Sequence, residues 1–223
     1  MSHPRDVLPE PASTDLWVRF VNTETFTRGR PTDHIAEGEA LVAWLRDERL
    51  LSDRAASAER AQLRDDPDEA VRRLDDYRTL RDLIRAMVVE LTTSGELQRG
   101  QVRDLNHILR HGLHYHQLET TIGGNQYALA RVGDRLDQAR ATVAGTFAEY
   151  LAGSDPRRLR ICANDGCREI FIDRSPTGRR RWCTMRTCGN RAKVARHRER
   201  HRGEVGVPPP ETVATLPAGA IAH

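Results

Sequence analysis

Residues 162–191 read CANDGCREIFIDRSPTGRRRWCTMRTCGNR. Four residues separate Cys162 from Cys167, four separate Cys183 from Cys188, and fifteen lie between the pairs. All four cysteines of the chain fall in this stretch. Two thiolate pairs on two turns, with a gap long enough to fold back, are what a closed tetrahedral Zn²⁺ site requires. Asp165-Gly166 supplies a turn inside the first pair. Four thiolates leave no open position for water, so the spacing predicts one structural zinc ion rather than a catalytic one. Four ordinary buried thiols, or a redox switch that releases zinc on oxidation, are the alternatives, and neither accounts for the arginines. The apolar residues around the pairs are few: Leu159, Ile161, Ile170, Phe171, Ile172 and Trp182. A segment this small needs a metal or disulfides to fold, and a metal would contribute on the order of 10 kcal/mol.

Outward from the cysteines the charge is lopsided. Residues 157–202 hold 15 Lys+Arg against 4 Asp+Glu, which leaves 20 against 28 in the rest of the chain. A concentrated cation on an acidic body fits a polyanion-binding module. Arg179, Arg180 and Arg181 precede the second pair, and Arg186 lies within it. Arg191, Lys193, Arg196, Arg198, Arg200 and Arg202 follow the last cysteine. From Cys188 the chain is expected to be helical, with Gly189-Asn190 in its first turn. A stripe of Cys188, Ala192, Ala195 and Glu199 would then pack on the metal site, between cationic flanks. Arginine dominates, and its planar fork suits phosphate or guanine edges. DNA is the expected partner, with Arg191 and Arg198 as candidate base readers. An RNA-binding or ribosome-associated zinc protein, with bases stacked on Phe171 and Trp182, or an adaptor whose basic helix holds an acidic protein, are the alternatives.

Upstream the pattern is helical. Asp15–Asn22 carries a short apolar stretch, either a strand or one helical turn. Asp33 is a candidate cap for a helix to about Arg49 with Ile35, Leu41, Val42 and Leu45 inward. Asp66-Pro67-Asp68-Glu69 is a strong helix start. Val71, Leu74, Tyr77, Leu80, Ile84, Met87, Val88 and Leu91 follow at helical spacing. Gly95 separates a second helix with Leu97, Val102, Leu105, Ile108 and Leu109, stopped by Gly112. The one clear β signal is a hairpin, 113–122 and 126–132, around Gly123-Gly124-Asn125. Asp134 caps a further helix with Leu136, Ala139, Val143, Phe147 and Tyr150 inward. Gly153-Ser154-Asp155-Pro156 reads as a linker. The expected fold is therefore mainly α with a small β-hairpin. Residues 1–13 are expected to be a flexible arm, 14–153 a helical domain with the hairpin at ~113–132, 154–202 a small treble-clef-like zinc finger and 203–223 a disordered tail.

The stretch from Arg160 to Arg200, with its cysteine spacing, its Arg-Arg-Trp-Cys block and the tetrad Cys188-Gly189-Asn190-Arg191, resembles the CGNR zinc-finger family over about 158–202. Phe20-Val21-Asn22-Thr23, with Ala43-Trp44-Leu45 followed by Leu50-Leu51, resembles the ABATE domain over about 15–155. The resemblance implies a bacterial, stress-induced transcription regulator. It implies zinc-ligand roles for Cys162, Cys167, Cys183 and Cys188 and a DNA-binding role for the finger.

His107, His111, His114 and His116 cluster near one helix end and the first hairpin strand. They are candidates for a second metal site or ligand pocket, set against the plainer reading of surface histidines. Asn22, Thr23 and Asp33 could line a small site or equally form a loop and a cap. There is no phosphate-cradling Gly loop, no Gly-x-Ser-x-Gly elbow and no evident nucleophile, so no enzyme is expected and no residue is assigned a catalytic role. No apolar run approaches the ~20 residues that span a bilayer, so no membrane partner is expected. The polar, Pro-rich start MSHPRDVLPEPAST lacks a signal-peptide core, so a cytoplasmic protein is expected. The helical domain is expected to sense a small-molecule effector, to form a homodimer, or both.

Overall fold

The computed structural model describes residues 15–120 and 127–202. The expected N-terminal arm, the Gly123-Gly124-Asn125 turn and the expected C-terminal tail lie outside the described residues. The chain divides into two compact units, one through Cys183 and one from Thr184.

The first unit is built around one long helix. Helices α1 (Leu16–Val21), α2 (Gly38–Asp47), α3 (Asp53–Asp65), α4 (Pro67–Thr93), α5 (Arg99–His111) and α6 (Arg135–Gly153) alternate with two-stranded antiparallel sheets. These are β1–β2 (Glu24–Thr27, Arg30–Asp33), β3–β4 (Tyr115–Thr120, Tyr127–Val132) and β5–β6 (Leu159–Ile161, Ile170–Ile172). At 27 residues, α4 is about 40 Å long and meets α1, α2, α3, α5 and α6. Its start is as the sequence reads: Asp66 accepts from the Glu69 amide at 2.9 Å, and Pro67 sits in the first turn. Asp134 caps α6 in the same way, accepting from Asp137 at 2.8 Å. Leu74, Tyr77, Leu80, Ile84, Met87 and Val88 of α4 and Leu136, Val143 and Phe147 of α6 fill the core around Trp17 and Phe20. Val71 and Val102, expected inward, are 57% and 41% exposed. Each lies in the opening turns of its helix.

Three expectations need correction. Asp33 ends β2 and does not cap a helix; α2 starts at Gly38 with Glu37 ahead of it. The Asp33 carboxylate takes a long-range partner instead. Both of its oxygens accept from the Arg81 guanidinium at 2.7 Å, and Oδ1 also accepts from the Ile35 amide. The hairpin at 115–132 is not the only β structure, since β1–β2 turns on Arg28 and Gly29, both at positive φ, and β5–β6 is a third pair. Helix α3, capped by Ser52 accepting from Ala55, lies where no element was expected.

The β5–β6 pair does not stand apart from the helical body. Leu159 and Ile170 are buried members of the main core, and Ile161 and Ile172 pack against it. Asn22 clips β6 from outside. Its Nδ2 donates to the Ile170 carbonyl at 2.8 Å, and its Oδ1 accepts from the Ile170 amide at 3.1 Å. The side-chain amide thus serves as the strand neighbour that β6 otherwise lacks.

The second unit, as described, is a π turn over Met185–Gly189 that runs into α7 (Asn190–Arg202). Cys188 and Gly189 are its buried residues. Ala195 and Glu199 are exposed and Ala192 is half-buried, so the expected packing stripe stops after one turn. Beyond that turn nothing in α7 is apolar enough to drive burial except Val194, which is 48% exposed. Among the described residues no helix is long and apolar enough to cross a membrane.

Candidate metal centre and cationic helix

The first cysteine pair sits on a tight knuckle. The Cys162 amide donates to the Glu169 carbonyl at 2.8 Å, and the Cys167 amide donates to the Asn164 carbonyl at 2.7 Å. Asn164 Oδ1 also accepts from the Gly166 amide at 3.2 Å, and Arg168 takes positive φ to close the turn. A Cβ on Gly166 would come within 3.1 Å of the Arg28 backbone, so the knuckle lies directly against the β1–β2 turn. The loop that returns to Cys183 is folded on Asp173, which is 1% exposed. Its two carboxylate oxygens accept from the Ser175 and Arg180 amides at 2.9 and 2.8 Å. Burial opposes ionisation of Asp173, but hydrogen bonds from Ser175 and Arg180 and the Arg180 charge override it, holding its pKa down to about 2.

All four sulfur atoms, of Cys162, Cys167, Cys183 and Cys188, lie within 4.8 Å of one another. Cys167 Sγ and Cys183 Sγ are 3.8 Å apart, and no cysteine is in a disulfide. Four thiolates at a Zn–S distance of about 2.3 Å sit roughly 3.8 Å from each other at the corners of a tetrahedron. Cys162, Cys183 and Cys188 are buried and Cys167 is half-buried. Burial, with the Glu169 carboxylate nearby, pushes the Cys183 thiol well above its usual range. Thiolates in this setting need a cation to hold their charge. The donor set fits a tetrahedral metal ion, and sequence spacing alone picked out the four cysteines that the fold brings together.

The fifteen cations are less uniform than their sequence clustering suggests. Arg157 pairs with Asp155 at 3.0 Å, and Arg174 pairs with Asp15. Arg158 donates to the Ser175 carbonyl at 2.8 Å, and Arg160 donates to the Gly178 carbonyl at 2.8 Å. Arg168 lies over the Phe26 ring at 5.5 Å. Arg180 donates to the Cys183 carbonyl at 2.6 Å and covers the Phe171 ring at 4.9 Å. Arg181 covers the half-buried Trp182 at 5.4 Å. Of the predicted contact residues, Arg179, Arg186, Arg191, Lys193, Arg196, Arg198 and Arg200 are exposed, and their side chains have no protein partner among the described residues. Arg202 lies at the end of α7, its side chain outside what the structure describes. Arg186, Arg191, Val194, Ala195 and Arg198 share one shallow face of the second unit.

The tetrad Cys188-Gly189-Asn190-Arg191 can now be read atom by atom. Cys188 offers a metal ligand. A Cβ on Gly189 would meet Met185 Sδ at 2.8 Å, so a side chain there would displace the exposed Met185 thioether that lies across the π turn. Asn190 Nδ2 donates to the Arg186 carbonyl at 3.1 Å. Arg191 alone has no task inside the fold. The family model described as "CGNR zinc finger" matches residues 158–201. A second, ABATE, described as "Putative stress-induced transcription regulator", matches residues 14–154. The chain belongs to the ABATE family. It carries a CGNR zinc finger after the ABATE segment, and no curated protein matches it.

The ABATE segment offers no open version of the small site considered in the sequence. Asn22 is bound to β6, while Thr23 Oγ1 and Asp33 both accept from the 3%-exposed Arg81. The hydrogen bond from Arg81 lowers the Asp33 pKa below its ordinary value. The nearby Arg85 guanidinium donates to the Val21 and Glu24 carbonyls at 2.7 and 2.8 Å. These arginines, invisible as site residues in the sequence, are the polar framework of the body. His107 and His111 are adjacent on α5, and His114 and His116 are adjacent on and before β3.

Proposed function

We propose that the protein is a DNA-binding transcription regulator in which one structural zinc ion braces the finger and α7 carries the contact surface. The observation that supports this is the residue of unpaired charge. After the internal uses are removed, Arg179 remains ahead of the second cysteine pair, and Arg186, Arg191, Lys193, Arg196, Arg198 and Arg200 remain on a single turn and helix, with Glu199 the one acidic residue among these six. Phosphate contacts from these side chains supply affinity and position α7. Arg191 and Arg198 are seven residues apart, hence on one face, with Val194 between them to meet a thymine methyl. Single-stranded RNA would call for exposed ring faces, whereas Phe171 and Trp182 each lie beneath an arginine. The ABATE body has the regulatory role of effector sensing, dimerisation or both. The protein works without catalysis, in a reducing cytoplasm that keeps its thiols available for metal.

Fluorescence anisotropy with a labelled DNA duplex tests this. With about six phosphate contacts, affinity falls by roughly 10³ between 50 and 200 mM salt. Replacing both Arg191 and Arg198 by Ala lowers the log–log salt slope by nearly two. Arg180→Ala leaves the slope unchanged and lowers the melting temperature instead. Salt-insensitive binding, or an unaltered slope in the double variant, sinks the assignment.

A further inference from the structure

The four histidines do not act together. Apart from the four cysteines, no group of three or more His, Cys, Asp or Glu side chains among the described residues is close enough to share an ion. His107 and His111 nevertheless form a pair with a definite geometry. They stand one turn apart on α5, both exposed, with ring centroids 4.7 Å apart and ring planes at 78°. Their Nε2 atoms face each other at 3.2 Å. The helix beneath them is fixed on its other face by buried Leu105 and Ile108. At its start Gln101 Oε1 accepts from the Gln98 amide at 3.1 Å. A rigid element therefore aims both imidazoles.

We propose that His107 and His111 form a two-histidine chelate for a borderline divalent cation of the Zn²⁺, Ni²⁺ and Cu²⁺ class, separate from the cysteine site. Imidazole nitrogen selects this class over Mg²⁺ and Ca²⁺. Metal–nitrogen bonds of 2.0–2.1 Å to two atoms 3.2 Å apart close an N–metal–N angle of about 100°, between octahedral and tetrahedral values. Two neutral rings whose Nε2 atoms face each other have room for one shared proton or one cation, and the cation uses both lone pairs. Of the cations on α5, Arg103, one turn before His107, is paired with Asp104 at 3.5 Å, while Arg110 lies directly before His111 in the chain. The remaining coordination positions belong to water or to groups from outside the chain. The site is consequently open and exchangeable, unlike four closed thiolates.

Calorimetric titration of ZnCl₂ into the zinc-loaded full chain tests the proposal. A further equivalent should bind, and His107→Ala or His111→Ala alone should weaken it by more than about tenfold, because one arm of a chelate loses the effective concentration of the other. The His114→Ala/His116→Ala double variant should bind as the unaltered protein does. Both α5 positions are exposed and alanine favours helix, so circular dichroism should show an intact fold in each. No heat beyond the cysteine site, equal binding in the His107 and His111 variants, or loss in the His114/His116 variant would each overturn it.

Discussion

Of the fifteen cations in residues 157–202, eight precede Cys183 and seven follow it, and the two groups are used differently. In the first group every member but Arg179 is committed to a carbonyl, a carboxylate or an aromatic ring of the same unit. In the second, the side chains described have no such engagement. The strand pair β5–β6 contributes Leu159 and Ile170 to the helical core, whereas α7 buries nothing past its first turn. One basic stretch in the sequence is thus a scaffold in its first half and a presented surface in its second. The lesson is that a count of arginines measures potential for polyanion binding only after the guanidinium groups that fasten loops have been subtracted.

The largest effect that separates the halves should come from metal removal. Chelation forfeits binding free energy on the order of 10 kcal/mol. An exposed 13-residue helix is marginal on its own in water. Hydrogen exchange should then show the amides of 190–202 losing protection, while Leu159–Ile161 and Ile170–Ile172 keep most of theirs through the core. Simultaneous loss in both segments would erase the distinction. A middle-sized effect is expected of Asn22→Ala, which leaves the Ile170 amide and carbonyl without their outer partner, at a cost of about 1–3 kcal/mol in denaturant unfolding. DNA affinity at fixed salt should hardly change, and a large loss would show that α7 depends on that clip. The smallest effect sharpens the scaffold half by pH. Asp173 stays ionised in the fold down to about 2, against roughly 3.9 in an unfolded chain. Its contribution is complete above about pH 5 and drains as pH falls through 4 towards 2. Asp173→Asn should flatten the stability curve in that window; an unchanged slope would remove Asp173 as the anchor of the arginine loop.

What the sequence disclosed follows the range of the interactions. Asp66 and Asp134 were readable as caps because each bonds an amide three residues on. The cysteines were readable because ligand spacing is itself local. Asp33 looked like a cap since nothing nearby reveals a partner 48 positions away. Helix α3 escaped because alanines and one leucine supply its buried side, a signal too thin for periodicity. Helix α7 was legible from its charge and its start at the last cysteine. The internal use of Arg158, Arg160 and Arg180 was not, because their acceptors are backbone carbonyls, which every residue has.

The union of Asn22 with Ile170, across 148 positions, has a consequence for how such chains can be assembled over time. A genetic junction placed between the two family segments would strip β6 of its neighbour and leave Leu159 and Ile170 facing water. Shuffling the finger onto another body would therefore demand a host that offers both an apolar berth and an amide in the right place. In this chain each of the two segments completes the other.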